Sequence, residues 1–290
     1  MNNHFIVCKF GETSFELLKG MAVVVIVDNL SGLSSVQSVL QKNNIHLHCI
    51  YYKSARPLSD IIYKEKWNEF PLLIESPGLG KVSNFLKMAS VIRKLNIRFY
   101  FSTDNSSCYK DIRILSSLGY YATLIINGKT ANWDEVEDLM TYSILNSVKH
   151  QDIDPFRYLL NYYHPQNRTD FGAVYFNDPT RYLHLTKEGK LSFFNLSADQ
   201  NNVHTIDLDK IDQIDKDTTY NDYLYKWQQF FLEPTTCACC KGWRICLGKY
   251  SESIKTNPGC QNFFGEFLNV VEMKKHNNEI REVEDGVWQP

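Results

Sequence analysis

The apolar residues between positions 21 and 148 alternate between short continuous runs and stretches of helical spacing. Met21 to Val27 is an uninterrupted apolar run, which is typical of a strand buried on both faces. We interpret residues 45–52, 70–74, 97–102 and 120–126 as further strands. Strands that alternate with helices predict a parallel sheet, either open or closed into a partial barrel.

The segments between these strands predict helices over residues 33–40, 82–95, 108–118 and 133–148, with mixed spacing over 57–68. The second of them is the clearest, because its apolar residues from Val82 to Leu95 fall on one helical face. Gly119 follows the third helix, where a glycine usually ends a helix. At the start of the chain, His4 to Phe10 is interpreted as an edge strand, and Ser14 to Leu18 as a helical turn.

The alternation stops near residue 150, and the second half of the chain has a different pattern. It predicts a strand over residues 171–176, a hairpin of 181–186 and 191–194, helices over 155–163, 207–214, 222–231 and 263–271, and a frayed charged tail from Lys274. We therefore divide the chain into a βα domain, residues 1–170, and a smaller α+β domain, residues 171–290. The fold class is α/β.

The composition is that of an ordinary globular protein, with 290 residues, 43% of them hydrophobic and 22% charged. The formal net charge is −2, which does not suggest a nucleic-acid binder. The longest apolar run is too short to span a bilayer, so no membrane segment is expected. The first residues have no pattern of a signal peptide, and we expect a cytoplasmic location.

Five of the eight cysteines fall within 24 residues. Four of them, Cys237, Cys240, Cys246 and Cys260, fit the spacing Cys-x2-Cys-x5-Cys-x13-Cys. In a reducing compartment, clustered cysteines are more often metal ligands than disulfides. Four thiolates predict zinc or an iron–sulfur cluster, because soft ligands select those metals. Free thiols remain the alternative, and Cys239 is an extra thiol that could replace a neighbouring ligand.

The βα repeat, the hairpin with Gly189 and this cysteine pattern together resemble the radical SAM peptide maturases with a C-terminal SPASM domain. The resemblance implies a SPASM-like domain with a Cys-rich metal loop after a partial barrel or sheet remnant. It also implies that Cys237, Cys240, Cys246 and Cys260 hold one auxiliary [4Fe-4S] cluster, with zinc as the alternative.

Two other metal sites of that family are missing from the chain. The family's first auxiliary cluster needs a cysteine at the position of Phe194 and another at that of Tyr250, and no cysteine lies between Cys108 and Cys237. The defining Cys-x3-Cys-x2-Cys motif after the first barrel strand is also absent. Three thiolates are the least that can hold a cluster open to SAM. The resemblance is therefore to a pseudo-radical SAM protein, and no SAM is expected.

The resemblance implies an accessory protein of ribosomal peptide (RiPP) modification rather than an independent radical SAM enzyme. Such a protein would bind a precursor peptide, or a partner maturase such as a radical SAM enzyme or an ATP-grasp ligase. The predicted edge strand near the N-terminus would pair with a leader peptide. A second hypothesis is a redox component or maturase subunit that works through its one [4Fe-4S] cluster. A third is a zinc-stabilised α/β protein of unrelated role. No catalytic residues are assigned.

Overall fold

The computed structural model describes residues 4–12, 14–166, 169, 171–193, 205–229, 236–250 and 253–284. In these residues the strands are Phe5–Lys9 (β1), Ala22–Val27 (β2), His46–Lys53 (β3), Leu72–Glu75 (β4), Ile97–Ser102 (β5), Ala122–Ile125 (β6), Ile153–Asp154 (β7), Tyr182–Leu185 (β8), Lys190–Ser192 (β9) and Thr205–Asp207 (β10). They form one sheet in the order β10-β9-β8-β1-β2-β3-β4-β5-β6-β7. All neighbours from β8 to β7 are parallel, and the hairpin partners β9 and β10 add antiparallel strands.

The α-helices lie mainly between the parallel strands, as the alternating pattern predicts. They are Leu33–Lys42 (α1), Val82–Lys87 (α2), Ala89–Ile92 (α3), Cys108–Ser117 (α4), Trp133–Leu145 (α5), Phe156–Tyr162 (α6), Thr218–Gln229 (α7), Trp243–Cys246 (α8) and Cys260–Glu284 (α9). Short 3-10 helices cover Phe15–Leu18, Leu58–Asp60, Glu65–Glu69, Phe171–Ala173, Leu208–Lys216 and Thr236–Cys239. None of the helices in the described part of the chain is long and apolar enough to cross a bilayer.

The two faces of the sheet have different roles. Because side chains alternate along a strand, Val23 and Val25 of β2 join the large core between the sheet and the helices, whereas Val24 points to the opposite, inner face. A small buried cluster on the inner face contains one side chain from each of β1 to β5 and one from β8: Val7, Val24, Cys49, Leu73, Tyr100 and Tyr182.

The sheet is curled around its inner face. One cavity on that face is lined by side chains from seven adjacent strands, β8 and β1 to β6. In a flat sheet, with strands about 4.8 Å apart, seven strands would spread over roughly 29 Å. Their convergence on one cavity fits the predicted partial barrel, and the mixed α/β class with a mostly parallel sheet is confirmed.

The prediction that the first strand lies at an edge is wrong. β1 pairs with β2 on one side and with β8 on the other, so both of its hydrogen-bonding edges are occupied. Its partner on the second side is Tyr182, Leu183 and His184, far along the chain, and local sequence carries no signal of that pairing. The proposed pairing of a leader peptide with this strand is therefore excluded.

Three other elements differ from the predictions. The helix predicted over 82–95 is broken at Met88 into α2 and α3. The strand predicted over 171–176 is a 3-10 helix, Phe171–Ala173, followed by a turn. The tail predicted to fray from Lys274 continues as α9 to Glu284. The expectation for Phe194 lies outside the described residues. The division of the chain near residue 170 remains a prediction, although β8 and β9 belong to the same sheet as β1.

Candidate functional site

The larger cavity of the inner face lies at the carboxyl ends of the parallel strands, where open α/β sheets usually bind their ligands. We call it the carboxyl-end cavity. Its volume is about 470 Å³. Its polar and charged lining residues are Tyr51, Lys53, Glu75, Tyr100, Ser102, Asp104, Asn127, Tyr175, Asn177, His184 and Lys249. This size and mixture of groups suit a small ligand or a short peptide segment.

A partly buried carboxylate and two donors form the centre of this cavity. Glu75, the last residue of β4, lies 2.8 Å from the Lys53 amine through its Oε1, and it accepts a hydrogen bond from the Tyr51 hydroxyl. Tyr51 and Lys53 are two residues apart on β3, so they point to the same face. Burial, and then the Glu75 charge, raise the pKa of Tyr51, which keeps its phenol protonated. The phenol therefore stays a hydrogen-bond donor across the physiological pH range.

A second carboxylate, Asp104, stands at the rim just after β5. Its oxygens accept hydrogen bonds from Ser102 Oγ at 2.8 Å, Asn127 Nδ2 at 2.8 Å and Thr130 Oγ1 at 2.9 Å. Burial opposes ionisation of this group, but the three hydrogen bonds outweigh it and lower the pKa of Asp104. The rim therefore carries a fixed negative charge held by neutral donors.

Residues 171–177, which we call the crossing segment, run across the inner face and close the floor of the cavity. Tyr100 Oη donates to the Val174 carbonyl at 3.3 Å, and Tyr175 Oη donates to the Leu124 carbonyl at 2.6 Å. Phe176 lines the carboxyl-end cavity and also a second cavity at the amino ends of the strands. The crossing segment thus separates two cavities on one face of the sheet.

His184 fixes the end of the crossing segment to β8. Its Nε2 lies 2.8 Å from the Phe176 carbonyl oxygen, so this nitrogen carries the proton of the neutral imidazole. The side chain is buried, and burial lowers its pKa from 6.5 to about 4, although the hydrogen bond to the Phe176 carbonyl partly opposes that shift. His184 is therefore a neutral donor at pH 7.

The free energy of unfolding should decrease as the pH is lowered below 6.5, because of His184. Between pH 6.5 and about 4, the unfolded chain binds a proton at this imidazole and the folded chain does not. The lost stability approaches about 3 kcal/mol at the acid end of that range. His184→Gln, which keeps an N–H donor, should remove most of this dependence in urea unfolding at pH 7 and pH 4.5. The exposed His164→Gln is the control, and equal pH dependence in wild type and His184→Gln would refute the assignment.

The four predicted cysteine ligands line one small cavity beside the sheet. Cys237, Cys240, Cys246 and Cys260 border it, together with Trp243, Gly248, Tyr250, Ile254, Gln261 and Phe264. Cys239 is exposed and does not line it. The structure thus brings the four predicted side chains to one place and leaves the extra thiol outside.

The donor set fits a soft metal, but the loop must adjust to bind one. The cavity volume is about 10 Å³, roughly that of one water. Among the described residues, no three His, Cys, Asp or Glu side chains stand in positions that could hold a metal ion. Zinc would require the thiols to close around it, and a cluster would require the cavity to widen. Burial raises the pKa of Cys246 to about 12 and that of Cys260 to about 11, so binding a metal there displaces thiol protons.

Aromatic packing holds the cysteine loop against the barrel. Trp133, the first residue of α5, lies 5.6 Å from Phe263 and 5.3 Å from Tyr250, measured between ring centroids. Gly259 has φ +138°, and a Cβ there would lie 2.8 Å from the Trp133 ring. The close approach therefore requires glycine immediately before Cys260.

The cysteine loop also reaches the carboxyl-end cavity. Lys249 lines that cavity, with its amine 4.3 Å from the centroid of the Tyr175 ring. The next residue, Tyr250, lines the cysteine cavity. Two consecutive residues of the cysteine loop therefore line the two different cavities.

No protein-family model and no curated protein matches this chain. Its fold is similar to two solved structures of anSMEcpe, a radical SAM peptide maturase with a SPASM domain. The native protein with bound AdoMet has 12% identity and a TM-score of 0.54, over 92% of this chain and 86% of that chain. The complex with AdoMet and the Kp18Cys peptide has 12% identity and a TM-score of 0.50, over 87% and 86%. At this identity the similarity establishes the fold, which is the one that the resemblance implied.

The sequence did not reveal the carboxyl-end cavity. Tyr51, Glu75, Asp104 and Asn127 come from four different strand ends, and no motif joins them. The available signal was their position, because polar residues at the carboxyl ends of successive parallel strands meet at one edge of the sheet.

Proposed function

We propose that this protein is an accessory, pseudo-radical SAM protein of ribosomal peptide modification, and that it binds a precursor peptide at the carboxyl-end cavity. The observation that carries the proposal is a maturase fold whose cavity has no cysteine among its lining residues. Of the cysteines in the first half, Cys8 is buried between sheet and helices and Cys49 on the inner face, and Cys108 begins α4. The comparison structure that contains a peptide supports this class of ligand.

The chemistry of the cavity suits a peptide. Tyr51, Tyr100, Tyr175 and Phe176 provide aromatic surface, and the carboxylates and amines around them can pair with either sign of side chain. A ligand group that pairs with Lys53 or Glu75 would compete with the ion pair between them, so recognition would be selective for charge.

We also propose that Cys237, Cys240, Cys246 and Cys260 hold one metal centre. The resemblance favours a [4Fe-4S] cluster, and a structural zinc is the alternative. A bound cluster would supply electron transfer or Lewis acidity, whereas zinc would only hold the loop. The four residues themselves would anchor the loop that places Lys249 in the cavity.

A redox component or maturase subunit remains a second candidate function. It is favoured by the short connection through Lys249 and Tyr250, which places the cysteine cavity next to the carboxyl-end cavity. In that case a partner maturase would exchange electrons with the cluster, and substitution of its cysteine ligands would abolish product formation rather than peptide binding.

Peptide binding can be tested by fluorescence anisotropy with labelled precursor peptides encoded beside the gene. We expect saturable binding, and we expect Glu75→Gln to change the affinity about tenfold. A peptide whose cation pairs with Glu75 would bind more weakly, and a peptide whose anion pairs with Lys53 would bind more tightly. Glu65→Gln is a matched control, since Glu65 also pairs with a lysine, Lys94, at 2.6 Å but lies outside the cavity.

Two outcomes would contradict the proposal. One is the absence of saturable binding with every neighbouring precursor. The other is equal affinity of the wild type and Glu75→Gln, which would place the peptide elsewhere on the protein.

A further inference from the structure

The second cavity of the inner face has no role in the proposed function. It lies at the amino ends of the strands, and we call it the amino-end cavity. Its volume is about 390 Å³, and the crossing segment divides it from the carboxyl-end cavity. Its lining consists of His48, Cys49, Pro71, Leu72, Leu73, Asn96, Arg98, Tyr100, Asp154, Tyr158, Ala173, Val174, Phe176, Arg181 and Tyr182.

The charged groups of this cavity leave a positive excess. Arg98 Nη1 lies 3.2 Å from Asp154 Oδ2, so these two charges largely offset each other. Arg181 also lines the cavity, and no described carboxylate forms an ion pair with it. The nearby Asp178 instead accepts hydrogen bonds from the Thr180 amide and hydroxyl at 2.9 and 2.6 Å. Arg181 is an exposed residue that lines the cavity, and it has no carboxylate partner in the part of the chain that the structure describes.

The remaining titratable groups do not supply negative charge. Burial, and then the Arg98 charge, lower the pKa of His48, which keeps it neutral at pH 7. Burial raises the pKa of Cys49 to about 12, so its thiol keeps its proton. Burial also raises the pKa of Tyr182 to about 12. An incoming anion would thus meet Arg181, the Arg98–Asp154 ion pair and otherwise neutral neighbours.

The walls of the cavity are aromatic and aliphatic. Phe176 and Tyr182 form a T-shaped pair with centroids 5.1 Å apart, and Leu73 and Tyr100 belong to the same buried cluster as Tyr182. Such walls accept an apolar or aromatic group and exclude water around it, which strengthens an ion pair at the mouth.

We propose that the amino-end cavity is a binding site for a carboxylate carried on an aromatic group, with Arg181 pairing with the carboxylate and the ring lying against Phe176 and Tyr182. Arginine binds a carboxylate through two parallel N–H donors, which fixes the direction of the ligand. The ligand is either a free aromatic acid or the carboxyl end of a peptide. The site is independent of the proposed function, because the crossing segment separates it from the carboxyl-end cavity.

Calorimetric titration of the protein with N-acetylphenylalanine and with its amide tests this site. We expect the acid to bind at least about tenfold more tightly than the amide, because only the acid forms a charge-assisted pair with arginine. Arg181→Gln should remove this preference, and Arg181→Lys should restore part of it. Arg93→Gln, an exposed arginine outside the cavity, should leave it unchanged.

A peptide that ends in phenylalanine, with a free or amidated terminus, distinguishes the two sources. Tighter binding of the free-ended peptide than of N-acetylphenylalanine indicates a peptide ligand, and weaker binding indicates a small acid. The proposal is overturned if neither acid nor peptide binds, if the amides bind as well as the acids, or if Arg181→Gln keeps the preference. Because these probes differ from the precursor peptides, failure here leaves the test of the carboxyl-end cavity intact.

Discussion

Cys246→Ser is expected to lose the metal that we propose for the cysteine cavity and to unfold at a markedly lower temperature than the wild type. Cys246 lines the cysteine cavity together with Cys237, Cys240 and Cys260, so its loss leaves three of the four proposed ligands. A structural metal of this kind can contribute about 10 kcal/mol or more to folding. The measurement is metal content and thermal unfolding of protein purified without oxygen.

Cys239→Ser is the matched control for this experiment. Cys239 lies in the same loop, but it is exposed and does not line the cavity. It should keep both its metal and its melting temperature. Metal loss in Cys239→Ser, or full metal content in Cys246→Ser, would show that the four ligands are wrongly chosen.

Phe264→Ala should lower the free energy of unfolding by about 3–5 kcal/mol, the usual cost of removing a buried phenylalanine. Phe264 is 1% exposed and belongs to the core, with centroids 5.7 Å from Phe171 and 6.0 Å from Tyr250. Gly242 of the cysteine loop packs directly on it, where a Cβ would collide with the ring. The substitution therefore loosens the crossing segment and the cysteine loop together.

Chemical denaturation measures this effect, with Tyr225→Ala as a control. Tyr225 is an aromatic residue that is 64% exposed. Its truncation should change stability by less than about 0.5 kcal/mol. A loss of less than 1 kcal/mol in Phe264→Ala would mean that the cysteine loop does not depend on this contact.

The sequence predicted well what depends on local pattern. The prediction of the strand over Ile97–Ser102 is confirmed, because four of its six residues, Ile97 and Phe99 to Phe101, are apolar and buried in the sheet. Predictions failed where distant partners decide the structure. The apolar residues over 171–176 resemble a strand, but Tyr175 bonds to Leu124 of β6 and Tyr100 bonds to Val174, and these contacts hold the segment across the sheet.

The same distinction holds for the candidate sites. The convergence of Cys237, Cys240 and Cys246 could be predicted because they are close in sequence, whereas the metal centre itself stays a prediction. The two inner-face cavities could not be predicted, because their residues come from many strands, and their meeting depends on the curl of the sheet. The helical character of residues 82–95 could be predicted, but the break at Met88 could not, because the apolar periodicity of Val82 to Leu95 continues through it.

The most direct test of the central claim is X-ray absorption spectroscopy at the metal edge on protein purified without oxygen. We predict a stoichiometric metal centre with four cysteine sulfurs as its protein ligands. Iron with sulfide and iron neighbours would identify the cluster, and zinc with four sulfurs at about 2.3 Å would identify the alternative. Protein without stoichiometric metal, or a metal with nitrogen and oxygen ligands, would contradict the claim that these four cysteines form one centre.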